Sequence, residues 1–313
     1  MKILVTGCAG FIGSHVSEFF LKQNHEVFGI DNINDYYDVS KKQHNLTLLQ
    51  QYPNFQFKKD DICSTTIIED WKPDKICHLA SMAGVRYSIQ NPEIYVQVNI
   101  QGFIHLLEQA VKHNIKDFVY ASSSSVYGLN KKVPFSETDT IDTCNSPYAC
   151  SKRCMEIFAN TYNRLYGIRM IGLRFFTVYG PRGRPDMAPY IFLKAIHTQT
   201  PFTKYGSGDT SRDYTYIDDI VAGIVSAVEN KKNIQCGVFN LGNSSPVSLQ
   251  TFIETCEKVV GKQAIYTQIE QQLGDVPHTY ADISSAQREL EYQPQISLEQ
   301  GLTKTYAWLR TQY

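Results

Sequence analysis

The chain has 313 residues, 42% of them hydrophobic and 19% charged, which is ordinary globular composition and enough for one large domain with a smaller lobe. Thirty basic residues against 31 acidic ones leave a net charge of −1, which speaks against a nucleic-acid binder or a polybasic membrane surface. Met1 and Lys2 lead straight into a strand pattern without a signal peptide, and no apolar run approaches the ~20 residues of a membrane helix, so a cytoplasmic protein with no membrane partner is expected.

In chain order, short apolar runs predict strands at Ile3–Thr6, Val27–Ile30, Phe55–Lys58, Ile76–Leu79 and Phe118–Ser122. Each is followed by a helical pattern or a loop leading into one; Leu106, Leu107, Ala110 and Val111 share a helix face after Asn99. This alternation predicts an α/β fold with a Rossmann-type, doubly wound parallel sheet and right-handed crossovers. Met170–Phe175 and Val238–Leu241 read as further strands, and Leu249–Val260 and Leu298–Leu309 as helices. Residues 176–213, rich in Pro, Gly and Arg, read as a loop-and-helix insertion. The expected division is residues 1–175, with 214–243 returning, as the sheet domain. Residues 176–213 and 244–313 would form a smaller C-terminal lobe over the strands' carboxyl ends, where open α/β sheets bind ligands. Eight cysteines are spread without a CxxC pair, so neither a metal site nor a redox dithiol is expected. Cys150 and Cys154 read as small packing residues, and unpaired thiols at this density suit a reducing compartment.

Gly7-Cys-Ala-Gly10-Phe11-Ile12-Gly13 follows the first strand and opens a helix, the context a dinucleotide-binding turn demands. Gly7 would make the tight turn, Gly10 would admit a pyrophosphate to the helix N-terminus, and Gly13 would let the helix pack closely. A purely structural glycine turn would leave the same triplet. Asp31 ends the second strand, 18 residues after Gly13, and with Asn32 stands where ribose hydroxyls are bound; alone it would also suit a turn cap. A carboxylate there repels a 2′-phosphate, so NAD is preferred to NADP. Asp61 and Ile62 follow the third strand, where a carboxylate would meet the adenine amino group. Leu79, Ala80 and Ser81 follow the fourth, with small residues where a cofactor lies close, although a capped strand end explains either feature. His78 reads as a buried, hydrogen-bonded histidine.

Tyr148 and Lys152 are four residues apart and share a helix face. Tyrosine, with a pKa near ~10, is a poor base at neutral pH; a lysine ammonium and a nicotinamide cation nearby would favour its phenolate. Tyr148 would then take a proton from a substrate hydroxyl as hydride leaves for NAD, with Ser123 assisting at the reacting oxygen.

These motifs resemble the extended short-chain dehydrogenase/reductase superfamily, within it the nucleotide-sugar epimerases and dehydratases. The resemblance also runs through Asn99, the segment from Arg174 to Pro181, and the segment from Arg212 to Asp219. The segments Asp31–Asp38, Ala83–Ser88, Ser122–Asn130 and Arg184–Met187 look like UDP-glucuronate 4-epimerases. The resemblance implies that Ser123, Ser124, Ser125, Thr177 and Arg184 hold the sugar carboxylate and that Arg212 meets the UDP diphosphate; the other reading of Arg184 is that it only pairs with Asp186 or Asp209 on the surface. Arg86 and Asp275 fall in matching segments on the substrate side, Asn99 on the cofactor side. Leu273, where the family has Pro, and Met82, where Gln is common, depart from the pattern. A homodimer is implied through helices containing Asn99–His113 and Ser146–Tyr166; Val98, Ile104, Met155 and Phe158 suit such a contact and equally suit packing on the sheet.

The expected activity is therefore UDP-glucuronate 4-epimerisation by transient oxidation at C4 with tightly bound NAD. The alternative is a nucleotide-sugar dehydratase, for example of UDP-N-acetylglucosamine. Usual 4,6-dehydratases carry an Asp-Glu pair where this chain has Ser124 and Ser125. A non-catalytic protein on this fold would be expected to lose Tyr148 or Lys152, and this chain keeps both.

Overall fold

The structure is a computed structural model describing residues 1–270 and 278–312. Its first half alternates β1 (Lys2–Thr6), α1 (Phe11–Lys22), β2 (Glu26–Asp31), α2 (Val39–Leu49), β3 (Phe55–Lys59), α3 (Ile67–Trp71) and β4 (Lys75–His78). Two short helices, α4 (Val85–Gln90) and α5 (Pro92–Tyr95), lead through a wide π-helical turn at Val96–Gln101 into α6 (Gly102–Lys112). Then come β5 (Asp117–Ser123), a 3-10 turn at Ser124–Tyr127, α7 (Pro147–Tyr166) and β6 (Arg169–Phe175). The second half holds β7 (Thr177–Tyr179), α8 (Ala188–Thr198), β8 (Phe202–Tyr205), β9 (Ser211–Tyr216), α9 (Ile217–Glu229) and β10 (Cys236–Leu241). After them follow β11 (Pro246–Ser248), α10 (Leu249–Val260), β12 (Tyr266–Ile269), β13 (His278–Thr279), α11 (Ser284–Leu290) and α12 (Leu298–Arg310).

Among the described residues the main sheet has seven strands in the order β10-β6-β5-β4-β1-β2-β3, all parallel. Alternate residues of a strand face opposite sides, and here both sides are apolar. Ile3 and Val5 join Val16 and Phe20 of α1 and Ile220 and Ile224 of α9. Leu4 between them joins Phe103, Leu106 and Leu107 of α6 and Met155 of α7 on the other face. A parallel sheet covered on both faces needs such continuous apolar runs, and each fully buried side chain of this size contributes about 1.5–3 kcal/mol. This is the doubly wound architecture expected.

The helices start where their sequences say. Ser146 accepts from the Ala149 amide at 3.1 Å and Pro147 takes the first turn of α7, a cap worth about 1 kcal/mol. At α12, Ser297 and Gln300 form a reciprocal capping box.

The stretch from 176 to 213 is more than a loop and a helix. It contains β7, α8, β8 and the start of β9, and the 213/214 division falls inside β9. This strand organises a second small sheet with β11, β13 and β7. Buried Asp213 pins it: its carboxylate accepts from the amides of Asn243 (2.6 Å), Ser244 (3.0 Å) and Ala281 (3.0 Å), although burial still pushes its pKa up to about 6. Strands this short, held by such bonds and by ring contacts such as Tyr214 on Phe252 (4.2 Å), carry no period-2 signal of their own.

Candidate active site

From β1 the chain moves outward through β2 to β3, then crosses back to β4 on the other side of β1. The connections therefore diverge beyond the carboxyl ends of β1 and β4, which is where open α/β sheets leave a crevice. A cavity of about 450 Å³ lies there.

One end of it is built from backbone. Gly7 turns with φ +73°, and a Cβ on it would stand 2.7 Å from the Ala80 amide nitrogen. A Cβ on Gly13 would stand 2.1 Å from the Gly7 carbonyl oxygen, so α1 starts pressed against the turn itself. Gly10, Phe11, Ile12 and Gly13 line the cavity, and no side chain caps the helix there. Its first-turn amides and positive dipole end are available to an anion.

Asp31 lines the same end. It accepts from the Ala9 amide (3.2 Å) and the Ile33 amide (2.9 Å), and burial raises its pKa. It is thus a turn cap and a cavity wall at once. Asn32, Ile62, Leu79, Ala80 and Ser81 also line the cavity. Asp61 accepts from the side chain of the lining residue Asn32 (3.2 Å) and from the Cys63 amide (2.9 Å); Asp60 also lines the cavity, with its carboxylate engaged by Lys58 (2.9 Å) and Thr65 (2.8 Å). Asn99 is likewise a brace: it accepts from the Met82 amide (2.8 Å) and donates to the Met82 carbonyl and Ser151 (both 2.9 Å).

Sequence reasoning missed Lys42. It is buried on α2, lines the cavity, and donates to the Asn34 carbonyl (2.9 Å) and side chain (2.7 Å). Its position in the mostly polar run Val39–Leu49 gives it no periodicity signal, and only the adjoining Asp31–Asp38 motif points toward it. His78 is a core histidine as expected. It is fully buried, bonded to Thr6 Oγ1 at 2.8 Å, and held neutral with its pKa pushed down to about 3 by burial and then by Lys152.

The middle of the cavity holds the reactive groups. Tyr148 shares a hydrogen bond with Ser123, and burial raises its pKa against the opposing pull of that bond and of Arg184. Lys152 is 1% exposed and donates to the Ala121 carbonyl at 2.8 Å; burial pushes its pKa down to about 7, with Glu156 opposing. The lysine is thus seated on a backbone carbonyl, and the hydroxyl partner of Tyr148 is Ser123. Beneath them Glu156 takes both arms of Arg174 (2.8 and 2.9 Å) and accepts from Ser122 (2.7 Å). This network locks α7 to the ends of β5 and β6.

The other end is built from side chains. Ser124, Ser125, Thr177, Tyr36 and Arg184 converge there, and Ser123 caps the turn by accepting from the Ser125 amide at 3.1 Å. Arg184 spans Asp186 (3.0 and 2.6 Å), donates to Tyr36 (3.3 Å) and lies 5.1 Å over its ring. Its loop is tied to α1, because Arg182 pairs with Glu18 (2.6 Å) and meets His15 Nδ1 (2.8 Å). Two expected residues lie away from the cavity wall: Arg86 is 5.4 Å over the Tyr205 ring, and Arg212 donates to the Ser211 carbonyl (2.9 Å). Asp275 and Leu273 lie outside the described residues. Cys150 is exposed and Cys154 partly so, which corrects their reading as packing residues; Met155 packs in the core. Among the described residues no group of three or more His, Cys, Asp or Glu is placed to hold a metal.

A doubly wound sheet whose glycine turn, Tyr148 and Lys152 face one crevice defines an enzyme of the extended short-chain dehydrogenase/reductase class. Within it, the family described as GDP-mannose 4,6 dehydratase matches residues 4–305, and the chain belongs to that family. An uncharacterized protein of Methanocaldococcus jannaschii is 47% identical, the match covering 98% of this chain and 95% of the relative. The UDP-glucuronate 4-epimerase of Thermodesulfobacterium geofontis is 42% identical, covering 97% of this chain and 95% of its own. A crystal structure of the UDP-glucuronic acid 4-epimerase of Bacillus cereus in complex with UDP-glucuronic acid and NAD superposes with a TM-score of 0.94. It is 39% identical, and the alignment covers both chains fully.

Proposed function

We propose that the protein is an NAD-dependent isomerase that interconverts UDP-glucuronate and UDP-galacturonate by transient oxidation at C4. The observation that carries this reading is the convergence of Ser124, Ser125, Thr177 and Arg184 on the cavity that also holds Tyr148. A dehydratase needs an acid and a base beside the sugar. Among the described residues, the acidic residues that line this cavity are Asp31, which ends β2, and Asp60, which follows β3.

NAD fits the chain. The Cβ-free cradle of Gly7, Gly10 and Gly13, the uncapped α1 amides and Asp31 suit a pyrophosphate and a ribose diol. Bound there, NAD supplies the acceptor and donor of hydride at C4. Tyr148 takes the C4 hydroxyl proton and later returns it, with Ser123 bonded to the same oxygen. Lys152, seated on the Ala121 carbonyl and with its pKa pushed down to about 7, lines the same cavity and can hold or release a proton there. Arg184 binds the uronate carboxylate bidentately, and Thr177 with Ser124 and Ser125 fixes its angle to the sugar ring. A 4-keto uronate loses CO2 when its carboxylate stands perpendicular to the carbonyl plane, so this hold suppresses decarboxylation. The smaller lobe around β9 is the nucleotide-sugar side.

Among the described residues no helix is long and apolar enough to cross a membrane. We assign the enzyme to the cytoplasm, a reading its eight unpaired thiols support. It is a homodimer through α6 and α7, as exposed Ile157, Leu165 and Tyr166 on α7 support; a monomeric mass by light scattering would remove this part.

The test is product analysis of separate incubations with UDP-glucuronate and UDP-N-acetylglucosamine, by mass spectrometry and anomeric-region NMR. An unchanged mass with a galacto-configured ring from UDP-glucuronate is expected. A product lighter by one water from either sugar would make the protein a dehydratase.

A further inference from the structure

Arg184 already holds a carboxylate. Its Nε and Nη2 donate to the two oxygens of Asp186 at 3.0 and 2.6 Å, the two-armed geometry in which a guanidinium takes a carboxylate ligand. The arginine side chain is 18% exposed and reaches the cavity, whereas Asp186 is 43% exposed. The aspartate thus approaches the fork from the water side. The two residues are separated only by Pro185, so the pair is local and its partners exchange without refolding the loop.

A released Asp186 has a second favourable place. It lies two residues before α8, whose N-terminus has no side-chain cap. An acidic group there meets unpaired amides and the positive end of the helix dipole.

We propose that Asp186 is a specificity-determining residue that occupies the Arg184 fork as an internal stand-in for the substrate carboxylate and is displaced by it. This rests on the uronate reading of the site. A uronate trades one carboxylate for another at Arg184 and loses no hydrogen bond. A neutral sugar offers no group able to displace Asp186, so it meets a neutralised arginine and gains nothing from it. Asp186 therefore withholds Arg184 from a ligand without an anion and costs an anionic one part of the affinity that the free arginine would give.

The experiment uses Asp186→Asn and Asp186→Ala in the full-length holoenzyme. KM and kcat are measured with UDP-glucuronate, and the dissociation constants of UDP-glucuronate and of UDP, which lacks the sugar and its carboxylate, by calorimetry. Tyr148→Phe in each background keeps UDP-glucuronate unreacted during titration. Loss of the competing ion pair should lower KM and the UDP-glucuronate dissociation constant about threefold to tenfold in both variants. UDP affinity should stay as in the wild type, which also reports an intact fold.

An unchanged or higher KM would overturn the proposal, the latter by making Asp186 a buttress of Arg184. An equal gain for UDP would overturn it too. A wild-type protein that neither binds nor turns over UDP-glucuronate would instead sink the uronate reading itself.

Discussion

The two ends of the cavity are made from different material. At the glycine-turn end the wall is backbone: Gly7 and Gly13 stand so close to Ala80 and to each other that a single added carbon has nowhere to go. At the sugar end the wall is a set of long side chains from distant segments, Tyr36 from the loop after β2 and Arg184 from the loop before α8, joined by contacts of 2.6–3.3 Å to each other and to Asp186. Backbone geometry tolerates no variation and fixes one ligand shape. Paired side chains can change partners, so on the proposed reading specificity for the sugar would reside where single substitutions alter binding without breaking the fold.

Gly13→Ala should break the first end outright. Its Cβ would overlap the Gly7 carbonyl oxygen, and relieving the overlap shifts α1 at a cost of about 1–3 kcal/mol or more. The purified variant should lack bound NAD, read by absorbance of the released cofactor, and melt lower. Full cofactor content would show that the turn is not the rigid element described.

Arg184→Ala sharpens the contrast from the other side. Loss of a charged, two-armed bond should raise KM for UDP-glucuronate about 10- to 100-fold. NAD content should hold, and released CO2 should rise. If neither KM nor CO2 release moves, the carboxylate is held elsewhere.

The smallest effect is a difference in acid sensitivity. His15 on α1, bonded to the Pro181 carbonyl, and His78 at the end of β4 both have their pKa pushed down from 6.5 to about 3, chiefly by burial. The unfolded chain therefore binds protons that the folded one refuses. The stability gained by keeping them neutral is complete above pH 6.5 and is lost as pH falls toward 3, at up to about 1.4 kcal/mol per pH unit for each histidine. The urea midpoint should fall between pH 7 and pH 5, and less steeply in His78→Gln. An unchanged slope in that variant would put the acid sensitivity elsewhere.

The same contrast explains what the sequence revealed. The strands of the main sheet are legible because both faces are apolar and the connecting helices are long; each predicted strand agrees with its observed range to within two residues at either end. The glycine turn is legible because sterics allow few residues there, and Tyr148 and Lys152 because helical spacing puts them on one face. The small strands around β9 were not legible, since two to six residues held by Asp213 and ring contacts leave no periodic trace. Lys42 was hidden in a mostly polar helix. Asn99 was placed correctly in the chain, but its role as a brace depends on the π-helical turn at Val96–Gln101, which no helical period foretells.

The order of strands also carries a consequence for synthesis. β6 is almost entirely buried, yet its outer neighbour β10 follows some 60 residues later in the chain. On the ribosome β1 to β5 emerge in time to cover one another, whereas β6 waits with one edge open until residues 236–241 arrive. Unpaired edges of apolar strands template aggregation. A nascent chain stalled before β10, or one truncated there, would leave that edge of β6 open, and β10 is the last strand to join the main sheet.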